Sequence, residues 1–369
     1  MNNKKYAELL LDYSLEIKPN QKLYIKSTML AEPLLRELYR EGIKRGAHVV
    51  IDTTFSGQGK MLLDHGNADQ LAFVDPNQRI AMNEFDAFLY IKAPYNLRED
   101  QNVDPEKRKL RSAGTKSVNQ AYYDRTASGE MVRSLCLFPT QASAQEAGMS
   151  LEEYTDFVYR ACNLHLENPT QAWLDRRANQ QAIVDHLNTV DQVRYVGEGT
   201  DITFSTKGRT WINSDGRTNM PSGEVFTGPI EESVNGVVHF SYPSIFMGVE
   251  VQGITLEVKE GVVVKWSAEK GNEILDQVFE IEGARMFGEV AIGTNYNIQR
   301  ATKNILFDEK IGGTIHMAVG QSYKQTGGKN QSTIHWDMIA EMKNGGQIFT
   351  DDKLIYESGK FIDFDMNGL

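Results

Sequence analysis

The period of the hydrophobic and polar positions changes partway along the chain. In the first half, "KLYIKS" and "AHVVIDTT" are apolar, β-branched runs typical of buried strands, and "LAEPLLRELYREGIKRG" between them has the spacing of an amphipathic helix. A further strand-like run, "DAFLYIKAPY", follows the helical stretch "LLDHGNADQLAFV". Because strands alternate with helices, the pattern predicts an α/β amino-terminal domain with an open, largely parallel sheet.

The pattern changes beyond residue 140 and again near residue 190. Residues 141–190 are rich in helix formers, and Ser150 before Glu152 and Glu153 predicts a helix start. From "QVRYVGEGTDITFSTKGR" onward, short β-branched runs are broken by glycine turns such as "KEGVV" and "KNGG". We therefore expect an α+β protein whose carboxy-terminal domain is mostly antiparallel and β-rich. The predicted domains are residues 1–187 and residues 188–369.

Length and charge narrow the class of protein. A chain of 369 residues exceeds what one core usually supports, which agrees with two domains. The formal net charge of −11 opposes binding to nucleic acid or to an anionic membrane surface. The opening "MNNKKYAELLLDYSLEI" lacks the long apolar region of a signal peptide, and no later run is long enough for a membrane span. The expected location is the cytoplasm.

Two familiar kinds of site have no support in the sequence. The nucleotide-binding patterns GxGxxG and GxxxxGK[ST] do not occur, so no nucleotide cofactor is expected. The only cysteines, Cys136 and Cys162, are not in a CxxC arrangement, which argues against a disulfide framework and against a thiolate zinc site. Any metal ion would therefore need carboxylate and imidazole ligands.

The stretch "STIHWDMI" places a histidine and an aspartate two positions apart in otherwise strand-like text. In an extended chain His335 and Asp337 point to the same side, and Trp336 points to the other. The pair alone allows three interpretations: a polar edge facing water, a buried histidine–aspartate hydrogen bond, or two ligands of a metal ion.

Other acidic and imidazole groups occur in similar surroundings in the second half. They are Glu224 in "PSGEVFTGP", Glu289 in "MFGEVAIGTN", Asp308 and Glu309 in "ILFDEKIGG", and His316 in "GTIHMAVGQSY". Carboxylates brought together repel one another unless a cation neutralises them. With histidines and no cysteine in the set, the pattern favours a pair of divalent ions such as zinc, cobalt or manganese. Two such ions can activate a shared hydroxide for peptide hydrolysis.

These segments carry a resemblance to a known family. In order, "GEVFTGP", "GEVAIG", "LFDEK", "IHMAVGQSY" and "IHWD" resemble the motifs of the aminopeptidase T/aminopeptidase S family of dinuclear metallo-aminopeptidases. The stretch "ASAQEAGMSLEEYTDFVYRAC" in the first half also resembles that family, so the similarity covers nearly the whole chain.

The resemblance implies roles for particular residues. The implied metal ligands are Glu224, Glu289, Glu309, His316, Tyr323, His335 and Asp337. Glu289 is the candidate to bridge the two ions, Glu309 is either a ligand or the general base, and Tyr323 is either a ligand or a donor to the oxyanion. The resemblance further implies a homodimer that acts on short peptides.

Two segments depart from the family pattern. Family members usually read "LFDENAS-H", whereas "EKIGGTIH" here lengthens the gap between Glu309 and His316. The glycine-rich "KQTGGKNQST" between Tyr323 and His335 is also short for the family.

Several functions compete at this stage. The leading hypothesis is an aminopeptidase, the alternative is another dinuclear metallohydrolase such as an amidase or esterase, and the third is a non-enzymatic binding protein. His239 is interpreted as facing water or a core hydrogen-bond partner. Glu231 and Glu232 are interpreted as a solvated charge run.

Overall fold

The computed structural model describes residues 2–369, which divide into two compact units. One unit runs to Thr170 and also contains Gly216–Met220, and the other comprises Gln171–Asp215 and Pro221–Leu369. The division falls within the helix Pro169–Leu187, whereas the sequence pattern places the boundary at the end of the same helix.

The first unit is built on a parallel sheet, which confirms the predicted α/β architecture. Its strands in spatial order are His48–Thr54, Lys22–Thr28, Ala87–Lys92, Val132–Leu137 and Asn219–Met220. The register pairs Leu23 with both Val49 and Ala87, and Ala87 with Val132. Consecutive parallel strands require crossover connections, which the intervening helices supply.

The helices of the first unit start at polar caps that the sequence supplies. Ser150 accepts a hydrogen bond from the amide of Glu153, whose carboxylate accepts one from the Ser150 amide, so the predicted helix start is confirmed. The stretch "LLDHGNADQLAFV" is interrupted, because Asn67 caps a new helix after Gly66. The helices are Asn3–Leu9, Glu32–Lys44, Gln58–His65, Ala68–Ala72, Pro76–Glu84, Pro105–Ser128, Gln141–Glu146 and Leu151–Ala161, with a π-helical turn at Leu10–Ser14.

The second unit is mostly antiparallel, as predicted. Its larger sheet has the order Val262–Ser267, Ile254–Lys259, Asn235–Phe240, Thr200–Ser205, Gln192–Gly197, Gln347–Thr350, Lys353–Glu357 and Lys360–Phe361. The other main sheet, here called the site sheet, has the order His335–Glu341, Thr314–Gly320, Phe287–Gly293, Glu224–Thr227 and Ile212–Ser214. The unit also contains a hairpin of Ser244–Phe246 and Val249–Val251, the helices Asn272–Val278 and Ile305–Asp308, and most of the helix Pro169–Leu187.

One hydrophobic core joins the two main sheets of the second unit. Side chains of the larger sheet such as Val238 and Leu256 belong to the same buried cluster as Val290, Ile315 and Met317 of the site sheet. One face of the site sheet is therefore fixed by packing, and every second residue on its strands points to the opposite face.

The structure contains, among residues 2–369, no helix with the length and apolar character that a membrane crossing needs.

Candidate metal centre

The candidate ligands share the face of the site sheet that points away from the core. On the strand Phe287–Gly293, Val290 and Ile292 enter the core, so Glu289 points to the other side. On His335–Glu341, Trp336 is 4% exposed and packs on Phe246, with 4.9 Å between ring centroids. The predicted alternation is therefore present, and it directs His335 and Asp337 to the site face.

Small residues on the same face separate the polar ones. Ala318 lies between Glu289 and Asp337 in the cross-strand register. Ala291 is the partner of His316, and Gly293 is the partner of Glu224. Since cross-strand neighbours stand only about 5 Å apart, larger residues at these positions would fill the space between the carboxylates.

Glycine at position 288 permits the bulge that turns Glu289 toward this face. The register between Phe287–Gly293 and Thr314–Gly320 shifts between Phe287 and Glu289. A Cβ atom on Gly288 would lie 2.5 Å from the carbonyl oxygens of Gly320 and Gln321. Any larger residue would push these strands apart and move Glu289.

One group of possible ligands consists of Glu224, Glu309 and His316. Their nearest ligand atoms lie within 4.8 Å of one another. The Nε2 atom of His316 lies 3.3 Å from Oε2 of Glu224, and both side chains are almost fully buried. Glu309 comes from outside the sheet, directly after the short helix Ile305–Asp308.

The other group consists of Glu289, His335 and Asp337, again with ligand atoms within 4.8 Å of one another. The Nε2 atom of His335 lies 3.1 Å from Oε2 of Glu289 and 3.5 Å from Oδ1 of Asp337. The other ring nitrogen, Nδ1, lies 2.7 Å from the carbonyl oxygen of Gln321. This contact orients the ring and leaves Nε2 available to a ligand.

Glu289 lies between the two groups. Its Oε2 atom faces His335, whereas its Oε1 atom lies 3.5 Å from Nε2 of His316. A carboxylate with one oxygen toward each imidazole has the arrangement of a bridging ligand.

The buried polar atoms of this site are incompletely satisfied by the protein. Within residues 2–369, the atoms that are buried without a hydrogen-bond partner of acceptable geometry include Oε2 of Glu224, both ring nitrogens of His316 and Oδ1 of Asp337. Leaving such groups unpaired in a low-dielectric interior costs roughly 1–3 kcal/mol each. Carboxylate oxygens and imidazole nitrogens are also the preferred ligands of divalent transition metals, so the residues present fit a metal centre.

The electrostatics of the site favour the binding of cations. Burial raises the pKa of the Glu309 carboxyl, the ammonium of Lys310 lowers it and the carboxylate of Glu224 raises it, with a net rise to about 8. Burial alone would lower the pKa of His316, but the carboxylates of Glu289 and Glu224 raise it to about 9. A divalent cation would neutralise these carboxylates.

Tyr323 stands at the edge of the two groups. Its ring centroid lies 5.0 Å from that of His335 and 5.6 Å from that of Phe226, and 44% of the residue is exposed. Partial burial and the carboxylates of Glu289 and Asp337 raise the pKa of the phenol above its ordinary value. The hydroxyl therefore keeps its proton at neutral pH and can donate a hydrogen bond.

The structure brings a buried lysine into the site that the sequence reasoning missed. Lys310 is fully buried, forms an ion pair with Glu309, and places Nζ 3.5 Å from Oε1 of Glu224. Burial opposes its charge, but the carboxylates of Glu224 and Glu309 hold the pKa of Lys310 above its usual value. The available signal was the lysine of "LFDEK", which stands where the family pattern has asparagine.

The sequence reasoning also missed Gln180, whose side chain is hydrogen-bonded to the backbone of Glu224. Its Nε2 atom donates to the carbonyl oxygen of Glu224 at 3.1 Å and to Oδ1 of Asn213 at 2.8 Å. Its Oε1 atom accepts from the hydroxyl of Thr294 at 3.1 Å. No motif marked Gln180, because its role depends on tertiary contacts between a helix and the site sheet.

Two other polar positions have structural partners. Glu231 is buried rather than solvated: it forms a 2.5 Å ion pair with Arg209 and accepts hydrogen bonds from the amides of Lys329 and Asn330. The interpretation as a solvated run is therefore wrong for Glu231, while Glu232 is exposed. His239 bonds to Thr255, with 3.0 Å between Nδ1 and Oγ1.

Comparison with known proteins identifies the family. The family model described as thermophilic metalloprotease (M29) matches residues 1–361. The chain belongs to the M29 metalloprotease family. This result confirms the resemblance found in the motifs. The ligand groups on the site sheet therefore form the candidate metal centre of an M29 protein.

Individual relatives agree with the M29 assignment. The chain is 28% identical to Aminopeptidase 2 of Geobacillus stearothermophilus over 349 residues, which cover 86% of this chain and 83% of that protein. The structure superposes on wild-type AmpT from Thermus thermophilus with a TM-score of 0.84 and 22% identity, covering 98% of this chain and 99% of that chain.

The M29 fold also occurs in an oxidative enzyme. A 2,5-dihydroxypyridine dioxygenase from Pseudomonas putida KT2440 matches with a TM-score of 0.63 and 14% identity, over 99% of this chain and 98% of that chain. Similarity at this level shows the fold alone, and the reaction has to be argued from the site.

Proposed function

We propose that this M29 protein is a metal-dependent aminopeptidase that removes amino-terminal residues from short peptides, using two divalent ions. The observation that carries the proposal is Glu289, whose two oxygens face the imidazoles of two separate ligand groups. The family assignment and the aminopeptidase names of the similar proteins support the same reaction.

In this proposal Glu224, Glu289, His316, His335 and Asp337 hold the ions, with Glu289 shared. Glu309 is either a further ligand or the general base, and Tyr323 is either a further ligand or a hydrogen-bond donor. Bound ions would activate a water molecule as the nucleophile and polarise the scissile carbonyl. Zinc, cobalt and manganese all suit imidazole and carboxylate ligands.

Two residues have further roles in the proposed reaction. A carboxylate oxygen of Glu309 accepts a proton from the attacking water, since Glu309 lies in the group with Glu224 and His316 and therefore beside the ions. The Tyr323 hydroxyl donates a hydrogen bond to the carbonyl oxygen as negative charge develops on it, since its own raised pKa keeps it protonated.

The test of the reaction is substrate preference. Purified protein supplied with zinc, cobalt or manganese should hydrolyse aminoacyl anilides and short peptides with a free amino terminus. The same peptides with an acetylated amino terminus should be poor substrates. Equal cleavage of free and acetylated peptides, or activity confined to esters or phosphoesters, would contradict an aminopeptidase.

The proposal extends to assembly, location and domain organisation. We propose a homodimer in the cytoplasm, with an α/β domain of residues 1–187 and a β-rich catalytic domain of residues 188–369. The family resemblance supports the dimer, and light scattering of the purified protein tests it through the mass. A monomer mass at micromolar concentration would contradict the dimer.

A further inference from the structure

The loop that carries Tyr323 is held by a buried carboxylate. This loop, residues 321–334, is here called the tyrosine loop, and it joins two strands of the site sheet. Oε1 of Glu231 accepts hydrogen bonds from two consecutive amides of the loop, that of Lys329 at 2.6 Å and that of Asn330 at 3.1 Å. Glu231 itself lies outside the loop, so these contacts fix the loop to another part of the unit.

Arg209 holds the carboxylate of Glu231 in place. Its guanidinium pairs with Oε2 of Glu231, and only 6% and 7% of the two side chains are exposed. Arg209 also contacts the tyrosine loop, because a Cβ atom on Gly327 would lie 3.5 Å from its Cδ and Nη1 atoms. A buried ion pair is costly to desolvate and is weak evidence for stability. A carboxylate in a fixed position is, however, a strong acceptor for the amides of a loop.

These contacts continue through the backbone to Tyr323. The carbonyl oxygen of Tyr323 accepts from the amide of Thr326 at 3.1 Å and from the hydroxyl of Thr326 at 2.7 Å. The carbonyl oxygen of Thr326 accepts from the amide of Thr210 at 3.0 Å. The position of Tyr323 therefore depends on the contacts that the loop forms with Glu231, Arg209 and Thr210.

The orientation of His335 has a separate support. The carbonyl oxygen of Gln321, which lies 2.7 Å from Nδ1 of His335, belongs to the start of the loop. The amide of Gln321 donates to the carbonyl oxygen of Ile334 at 2.7 Å, at the end of the same loop. Loss of Glu231 should therefore displace Tyr323 and leave the metal ligands in place.

We propose that Glu231, held by Arg209, is a positioning residue that sets the tyrosine loop so that the hydroxyl of Tyr323 reaches the substrate carbonyl. This inference rests on the proposed function, because it requires Tyr323 to donate a hydrogen bond during the reaction. Glu231 does not touch the substrate and acts through Tyr323. Since that hydrogen bond strengthens as charge develops on the oxygen, a misplaced hydroxyl should lower kcat and leave KM nearly unchanged.

Steady-state kinetics on an aminoacyl anilide tests the inference. Glu231→Ala should lower kcat by about 10–100-fold, because a catalytic group is displaced, with KM within about threefold of wild type and the metal content unchanged. Glu232→Ala is the matched control, since Glu232 is exposed in the same turn, and it should behave like wild type. A kcat of Glu231→Ala within about threefold of wild type, or loss of bound metal, would overturn the inference.

A double-mutant cycle with Tyr323→Phe shows whether Glu231 acts through the hydroxyl. A general structural effect of Glu231→Ala would lower kcat by the same factor with and without the hydroxyl. Under the proposal, Glu231→Ala should change kcat by less than about threefold in protein that already carries Tyr323→Phe. Equal losses in the two backgrounds would overturn the inference.

A second pair of variants avoids leaving Arg209 buried without its partner. Arg209→Met/Glu231→Ala and Arg209→Met/Glu231→Gln both lack the buried charges, but only the second keeps an oxygen that can accept from the amides of Lys329 and Asn330. The glutamine variant should retain a kcat at least about fivefold above that of the alanine variant. Equal kcat values, or failure of both variants to fold as judged by circular dichroism, would overturn the inference.

The remaining outcomes separate this inference from the proposed function. A wild-type kcat in Tyr323→Phe would overturn the role of Tyr323 and this inference with it, and would leave the two-ion aminopeptidase standing. Absence of peptide hydrolysis by wild-type protein supplied with zinc, cobalt or manganese would overturn both.

Discussion

The Nδ1 atom of His335 lies 2.7 Å from the carbonyl oxygen of Gln321, on the chain segment that leaves the neighbouring strand. That segment turns sharply at Gly320, whose φ is +100°. The turn brings the carbonyl oxygen of Gln321 to the imidazole of His335. The backbone at the end of one strand therefore orients a candidate ligand on the neighbouring strand.

The first prediction concerns this turn. In Gly320→Ala a Cβ atom would meet the carbonyl oxygen of Ile334 at 2.2 Å, so the turn has to shift and the Gln321 carbonyl moves away from His335. Loss of such an orienting contact should weaken metal binding about 10–100-fold in a zinc titration.

The control for this change is Gly345→Ala. Gly345 also has a positive φ, of +75°, but open space surrounds the position of its Cβ atom. This variant should lose about 1 kcal/mol of unfolding free energy and keep its metal affinity. Equal metal affinities in the two variants would contradict the role assigned to the turn.

A second prediction isolates the phenol of Tyr323. Tyr323→Phe keeps the ring against His335 and Phe226 but removes the hydroxyl. Since the hydrogen bond to the developing oxyanion is lost, kcat should fall by roughly 10²–10³-fold with little change in KM. Steady-state kinetics on an aminoacyl anilide measures this, with Tyr39→Phe at an exposed position of the first unit as control. A wild-type kcat would rule the hydroxyl out of the reaction.

A third prediction concerns Glu309. Glu309→Gln preserves the shape of the side chain but removes its ability to accept a proton, so kcat should fall about 10²–10⁴-fold. The matched control is Glu232→Gln. Glu232 is exposed, so this variant should retain full activity. Activity of Glu309→Gln within threefold of wild type would remove Glu309 from the mechanism.

A fourth prediction tests the support behind Glu224. Gln180→Ala leaves the acceptors Asn213 Oδ1 and Glu224 O and the donor Thr294 Oγ1 without their buried partner. Unfolding in urea should show a loss of about 2–4 kcal/mol. Gln120→Ala, at an exposed position of the helix Pro105–Ser128 where the side chain bonds to Asp124 of the same helix, should cost within about 0.5 kcal/mol. Similar losses in the two variants would contradict a special role for Gln180.

Much of the fold follows from local patterns in the sequence. The alternation of buried strands and an amphipathic helix predicts the parallel pairing of Lys22–Thr28 with His48–Thr54, and Ser150 predicts the helix that it caps. These features depend on residues close together in the chain, for which periodicity and capping are direct signals.

The site could be predicted only in part. The period of two along "STIHWDMI" is enough to place His335 and Asp337 on one face and Trp336 on the other. The separation of the ligands into two groups joined by Glu289 depends on the register of neighbouring strands, which no single segment encodes. Lys310 and Gln180 reach the site through tertiary contacts, so their importance is visible only in the fold.

The most direct test of a two-ion aminopeptidase is to measure metal content and peptide hydrolysis on the same samples, before and after removal of metal by a chelator. The account predicts two divalent ions per chain in the active protein, loss of hydrolysis as they are removed, and recovery when zinc, cobalt or manganese is restored. Undiminished hydrolysis by protein that mass spectrometry shows to be free of metal would contradict it.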